Sequence, residues 1–278
     1  MVHKLVIITA IGLGASAAFM GAAAAIGGRD FSEGFGGLFD GRPACQAVPG
    51  ATATARILDW DGSDQAGLNL LGQASYTPGT DDKVHASGDP QVLAHLRVHR
   101  GTVELDCRGW RDRTAGLAIT LPGRRFEKFE VVGGGHLALN GLNQPSANVE
   151  IAGSGKVQAS GKLDEVKLAI AGSGEMILDQ FTAKQGEVDI AGSGTVRAKG
   201  AIDNLKIEIG GSGRADFGAV ASRTAKVEIG GHGNVDIAPT DEANIEIGGS
   251  GDVNLHSNPK KLETDIGGSG NIHHLEGG

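Results

Sequence analysis

From about residue 127 onward the chain alternates apolar and polar residues, and the alternation restarts every 18 to 20 residues. Two apolar columns recur at fixed offsets. The first is Phe129, Val149, Leu168, Val188, Ile207, Val227, Ile245 and Thr264. The second is Val131, Ile151, Ile170, Ile190, Ile209, Ile229, Ile247 and Ile266. A third, Leu137, Val157, Met176, Val196, Ala215, Val235, Val253 and Ile272, follows a glycine-rich turn. Spacing of two between neighbouring apolar positions is the period of a strand with one buried face. Like residues aligned at a longer fixed period mean that successive coils stack in register as parallel strands about 4.8 Å apart. The pattern predicts an all-β, single-stranded parallel β-helix (β-solenoid) of about eight coils, in which Ile151, Ile170, Ile190, Ile209, Ile229, Ile247 and Ile266 form one core ladder.

Between the second and third columns each coil carries G-x-G, with its first glycine at Gly133, Gly153, Gly172, Gly192, Gly211, Gly231, Gly249 and Gly268. The steps are 20, 19, 20, 19, 20, 18 and 19 residues. A sharp corner between two strands calls for positive φ, which glycine adopts at little cost, so these are expected to be turn glycines. The central residue is Ser in six coils, Gly134 in one and His232 in another. Its expected role is to satisfy backbone groups of the turn. A looser third side is read from Leu163, Phe181, Ile202 and Val220, with Pro239 and Pro259 in later coils.

Upstream of the repeat the pattern is less regular. Residues 50–126 alternate in short runs such as Leu96/Val98, Val103/Leu105/Cys107 and Leu117/Ile119/Leu121. This predicts strands that begin the solenoid or cap it, so that 50–278 form one domain with an irregular first part (50–126) and regular repeats (127–278). Residues 29–49, rich in Gly, Asp and Phe, read as a flexible linker. Residues 1–28 open with His3 and Lys4 and continue uncharged from Leu5 to Gly28 through Ala22 to Ala25. That reads as a signal peptide cut near Ala23 to Ala25, or as an apolar helix retained as an anchor in the membrane. Export would place Cys45 and Cys107 in an oxidising compartment and favour a disulfide between them, two free buried thiols being the alternative.

Composition narrows the function classes. Among 278 residues there are 47 glycines and 4% aromatics, and the net charge is -8 with no basic run. Nucleic acid is therefore not an expected partner, since phosphate binding needs clustered Lys and Arg. The motif V-x-I-[AG]-G-S-G-x-[VI], repeated behind an apolar leader, resembles the head GIN domain family, described as putative auto-transporter adhesins. The likeness covers roughly 50–278. It implies a bacterial envelope protein, periplasmic or at the cell surface, with a parallel β-helix and no catalytic residues to carry over.

Several constellations of polar residues bear on chemistry. Calcium-binding repeats of the type G-G-x-G-x-D need Asp where this chain has core-facing Ala215, Val235, Val253 and Ile272, so that mechanism is excluded on ligand identity. The acidic column Glu130, Glu150, Asp189, Glu208, Glu228, Glu246 and Asp265 runs beside a column holding Lys128, Lys167, Lys206 and Lys226. The two read as a mutually compensating, solvated face, with the Glu187 and Glu263 coils the places to look for a metal. Asp216 and Asp236 lie at equivalent outward positions one coil apart, a candidate binding face whose spacing also overlaps that of retaining glycosidases. His232, His256, His273 and His274 offer no chelating set. The expectation is a non-enzymatic protein without cofactor or metal, meeting a surface glycan or an envelope protein. Self-assembly through the coil ends is the alternative, and a carbohydrate-active enzyme a third reading.

Overall fold

The computed structural model describes residues 41–275. The predicted leader helix within 1–28, and the linker up to residue 40, lie outside them. Among the described residues no helix is long and apolar enough to cross a membrane.

The chain forms an all-β solenoid. Its irregular part contains β1 (Ala55–Asp59), β2 (Gln65–Leu68), β3 (Gln73–Tyr76), β4 (Lys83–Ser87), a short helix α1 (Pro90–Ala94), β5 (Leu96–His99), β6 (Thr102–Leu105) and β7 (Ala118–Thr120). The regular part starts with β8 (Lys128–Gly133), β9 (His136–Gly153), β10 (Lys156–Gly172), β11 (Glu175–Gly192) and β12 (Thr195–Ile209). It continues through β13 (Arg214–Asp216), β14 (Val220–Ile229), β15 (Asn234–Ile237), β16 (Pro239–Ile247), β17 (Asp252–Leu255), β18 (Lys261–Ile266) and β19 (Asn271–His274).

All pairings within the regular part are parallel and follow the predicted register. Val131 lies opposite Ile151, then Ile170, Ile190, Ile209, Ile229, Ile247 and Ile266 on successive coils. Ile151 through Ile247 are 0 to 2% exposed, so each isoleucine seals the next. Ile266 is the exception at 42%. It occupies the ladder register but is not core, because no further coil covers it among the described residues.

The corner glycines have two distinct causes. Gly133, Gly153, Gly172 and Gly192 adopt positive φ, between 89° and 128°, as expected. Gly211, Gly231, Gly249 and Gly268 do not, although they stand in the same column. Their requirement is steric. A Cβ on Gly153 would lie 2.7 Å from the Gly133 carbonyl oxygen, and one on each of the later four would come closer still to the glycine beneath. The change coincides with replacement of Ala152, Ala171 and Ala191 by Gly210, Gly230, Gly248 and Gly267 just ahead of the turn. The second glycine of G-x-G points inward: a Cβ on Gly174 would meet Ile151 Cγ2 at 2.6 Å. Serine hydroxyls at 154, 173, 193, 212, 250 and 269 are exposed and have no hydrogen-bond partner among the described residues. The expected turn-satisfying role falls instead to the backbone, where Ser173 N–H donates to Gly153 O at 2.9 Å and its counterparts repeat the bond.

The third side is two columns rather than one. Phe181 lies opposite Gly161 below and Gly200 above, and Gly200 opposite Val220. Leu163 and Ile202 belong to the neighbouring column, where Ile202 lies opposite Ala183. Large side chains thus switch columns from coil to coil, which is how coils alternating between 20 and 19 residues share one filled interior.

Stacking departs from chain order at the start. β2 and β3 pair with β8 and β9 on one side and with β6 and β7 on the other. The layer 65–76 therefore lies between a layer made by 102–120 and the layer 128–139. Beyond the outer layer the ladder turns antiparallel: β4 pairs with β7 and β1 with β4, while β5 pairs with β6. Helix α1, its N-terminus capped by the Asp89 carboxylate accepting from Gln91 N–H at 2.8 Å, buries Val92 and Leu93 on this end. A Cys45–Cys107 disulfide ties the entering segment down. Trp60, Tyr76, Phe126 and Phe129 form a cluster with ring centroids 4.9 to 5.8 Å apart, filling layers that lack the isoleucine ladder.

Candidate functional site

Functional chemistry on a filled solenoid has to sit on its outward columns, because inward positions are occupied by core. The acid and lysine columns pair as neighbours. Lys128 Nζ meets Glu150 at 2.8 Å, Lys206 Nζ meets Glu208 at 2.5 Å and Glu187 at 3.1 Å, and Lys226 Nζ meets Glu228 at 2.6 Å. Glu187, Asp189 and Glu208 bring carboxylate oxygens within 4.8 Å of one another, on the coil singled out from the sequence for a metal. The Lys206 ammonium already bridges two of these carboxylates. Burial pushes the Asp189 carboxyl up to about 6, helped by the neighbouring Glu208 and Glu187 charges. Asp189 stands opposite Ala169 on one side, so it lacks a laddered partner of opposite charge there. Burial lowers Lys206, but hydrogen bonds to Glu208 and Glu187 more than reverse it and its pKa is raised. Glu187 and Glu208 thus share an internal cation, with the half-buried Asp189 carboxyl beside them.

Asp216 and Asp236 are register partners, as predicted. Asp236 Oδ1 accepts from Asn254 Nδ2 at 2.9 Å and lies 3.1 Å from His256 Nε2, and its Oδ2 is 3.4 Å from Arg214 Nη1. Its side chain is only 14% exposed. Three neighbours hold this carboxylate in place, which is the geometry of a structural anchor. Asn254 and His256 are not linked to it by the sequence pattern, since Asn254 breaks the Asp column on the next coil and His256 belongs to another column.

His95 and Asp106 lie beside Cys107, but the sulfur is in the disulfide. Both His95 nitrogens are engaged, Nδ1 with Asp106 and Nε2 with the Gln46 carbonyl, each at 2.8 Å. Glu104, buried in the cap, accepts from Arg97 at 2.6 and 2.9 Å and from Arg42 at 2.9 Å. These groups fasten the cap.

One concavity on the regular part has the size of a ligand site. A trough of about 470 Å³ runs along the rod, across coils from Glu165 to Glu242. Its floor is the strand backbone at Gly186, Leu205 and Ala225, whose inward positions belong to the core. One wall carries Gln185, Asn204 and Thr224, and the other carries Glu187, Lys206, Lys226 and Asn244. Sequence reading missed it because the column Glu165, Gln185, Asn204, Thr224, Glu242 shares polarity, while only its two ends share a residue type.

The family model described as "Putative auto-transporter adhesin, head GIN domain" matches residues 68–259, more than half of the chain. The chain belongs to the head GIN domain family. Solved structures share this fold. A putative lipid binding protein from Parabacteroides distasonis superposes with a TM-score of 0.68 at 20% identity, covering 80% of this chain and 96% of its own. A putative adhesin from the same organism gives 0.68 at 17% identity, covering 81% and 98%. A putative adhesin from Parabacteroides merdae gives 0.69 at 14% identity, covering 80% and 95%. At these identities the likeness concerns the fold. No curated protein matches the chain.

Proposed function

We propose that this GIN-domain chain is an exported, non-catalytic adhesion module of the bacterial envelope, periplasmic or at the cell surface. The observation that carries the reading is the unbroken in-register ladder from Val131 to Ile266, which makes a stiff rod whose variable chemistry is confined to its outside. Family membership and the adhesin names of its structural neighbours support the same reading. The Asp236 carboxylate, fastened by Asn254, His256 and Arg214, is better built to brace the face than to attack a glycosidic bond. A lipid-carrying role has less support, because the interior of the regular coils is filled by Val, Ile and Leu near 0% exposure and leaves no room there for an acyl chain.

Retention of the purified full-length chain on whole bacterial and host cells tests the proposal. Saturable retention that survives Asp216→Ala is expected. Absence of retention on every surface, or release of reducing sugar that the same substitution abolishes, would overturn it.

A second reading is favoured by one feature. All six residues of β18 are exposed, Leu262, Ile266 and Leu275 lie 38 to 44% open, and the outer edge of β18 and β19 is unpaired among the described strands. An open edge of this kind templates pairing with another chain. Growth of scattering mass with protein concentration would support self-association, and a constant monomer mass would remove it.

A further inference from the structure

We infer that the trough between Glu165 and Glu242 is a binding site for a neutral, hydroxyl-rich glycan chain lying parallel to the rod axis; this rests on the adhesion reading and locates it. Three observations point there. The first is shape: a channel of about 470 Å³ follows the stacking direction instead of crossing it, so it fits an extended polymer rather than a compact molecule. The second is the distribution of chemistry across it. The floor is strand backbone at Gly186, Leu205 and Ala225, whose inward positions are buried, so no side chain rises from it to obstruct a ring lying flat. The walls carry amides and a hydroxyl beside the charged Glu187, Lys206 and Lys226. Asn204 and Thr224 are oriented by each other, Thr224 Oγ1 donating to Asn204 Oδ1 at 2.9 Å, while Gln185 and Asn244 on opposite walls keep their amides free among the described residues.

The third observation is electrostatic. Every ammonium along the trough already has its carboxylate: Lys206 holds Glu187 and Glu208, and Lys226 holds Glu228. A charged polymer would have to break these pairs to gain contacts of its own, whereas an uncharged one leaves them intact. Periodicity supports the same ligand class. Consecutive coils present one residue to each wall about every 4.8 Å. A pyranose unit advances an extended β-linked chain by nearly the same distance, so successive sugars meet successive coils. No aromatic ring lines the site, so affinity comes from many hydrogen bonds and a multivalent display, and a weak single-site constant is expected.

Calorimetric titration of the full-length chain with cellotetraose and chitotetraose tests this, with maltotetraose as a bent control and tetragalacturonate as a charged one. Millimolar or tighter binding of at least one extended neutral tetramer is expected. It should weaken at least tenfold in Thr224→Trp, which fills the trough, and in Gln185→Ala with Asn204→Ala, which removes its wall donors and covers the case that the tryptophan variant misfolds. Asn234→Trp, on another side of the rod, should bind as the native chain does. No binding of either neutral tetramer, preference for the galacturonate, or unchanged binding in both trough variants would overturn the site. If cells still retain the chain while the trough variants are retained equally well, adhesion stands and the trough does not. If no cell retains it, the adhesion reading has failed by itself.

Discussion

The two ends of the rod solve the same problem differently. At the N-terminal end the stack stops because the ladder reverses: β4 and β1 continue it antiparallel, α1 covers the side, and the disulfide and aromatic cluster lock the layers beneath. At the C-terminal end the last described coil carries the same motif as those inside it, and no other described strand lies on it. A repeat encodes only how a coil meets its neighbours; closing the stack takes residues that break the repeat. Among the described residues these stand at one end, where β1 still keeps an outer edge without a strand partner and Ile57 is 63% exposed.

The largest expected effect that breaks this comparison is at the closed end. Cys45 and Cys107 are 62 positions apart. Closing a loop of that length restricts the unfolded chain by about 4 kcal/mol in the chain-entropy view. Replacing both cysteines by Ser should lower the chemical denaturation midpoint accordingly, and reducing agent should reproduce the loss in the native chain but not in the variant. Next comes a matched pair in the ladder. Ile209→Ala, at full burial, should cost about 3 kcal/mol, and Ile266→Ala, 42% exposed, less than about 1 kcal/mol. Equal losses would mean that something covers the last coil in solution.

A third pair compares two corner positions on adjacent coils. A Cβ on Gly267 would have its nearest neighbour at 3.9 Å, whereas one on Gly249 would strike the Gly231 carbonyl. Gly249→Ala should therefore cost about 2 kcal/mol, and Gly267→Ala stay within about 0.5 kcal/mol, by thermal melting. The smallest effect lies between the ends, at Asp189. Its folded pKa of about 6 is above its ordinary value of 3.8. The fold therefore favours the protonated form: this contribution is fully present below about pH 4 and is lost as pH rises through 6. Asp189→Asn should stabilise the chain at pH 7 by roughly 1 kcal/mol, discounted for solvent screening, and do nothing measurable at pH 3.5. A gain that persists at low pH would point to a cause other than charge.

The columns from Phe129 to Ile272 were legible because an isoleucine is buried only by its like nineteen or so residues away, so the sequence repeats what the structure repeats. The corner glycines were legible as necessary, but only half for the reason expected. Positive φ can be read from a turn, while the approach of one carbonyl to the glycine above appears only when coils are stacked. That Leu163 and Phe181 of the third side stand in different columns was not legible from spacing, because the coils alternate in length. The order of the first layers could not be read at all, since nothing in 65–76 resembles 102–120. Of the candidate face, the Asp216–Asp236 register was visible, but not the clasp of Asn254 and His256, nor the trough, both of which join unlike residues from different coils.

The layer 65–76 is sandwiched between segments that both follow it in the chain. A polypeptide emerging N-terminus first, from a ribosome or a secretion channel, holds β2 and β3 unpaired until β6 and β7 are out, and covers their second edge only once residue 139 has followed. The first strands of the layer to be synthesised therefore wait for later ones before they find their place.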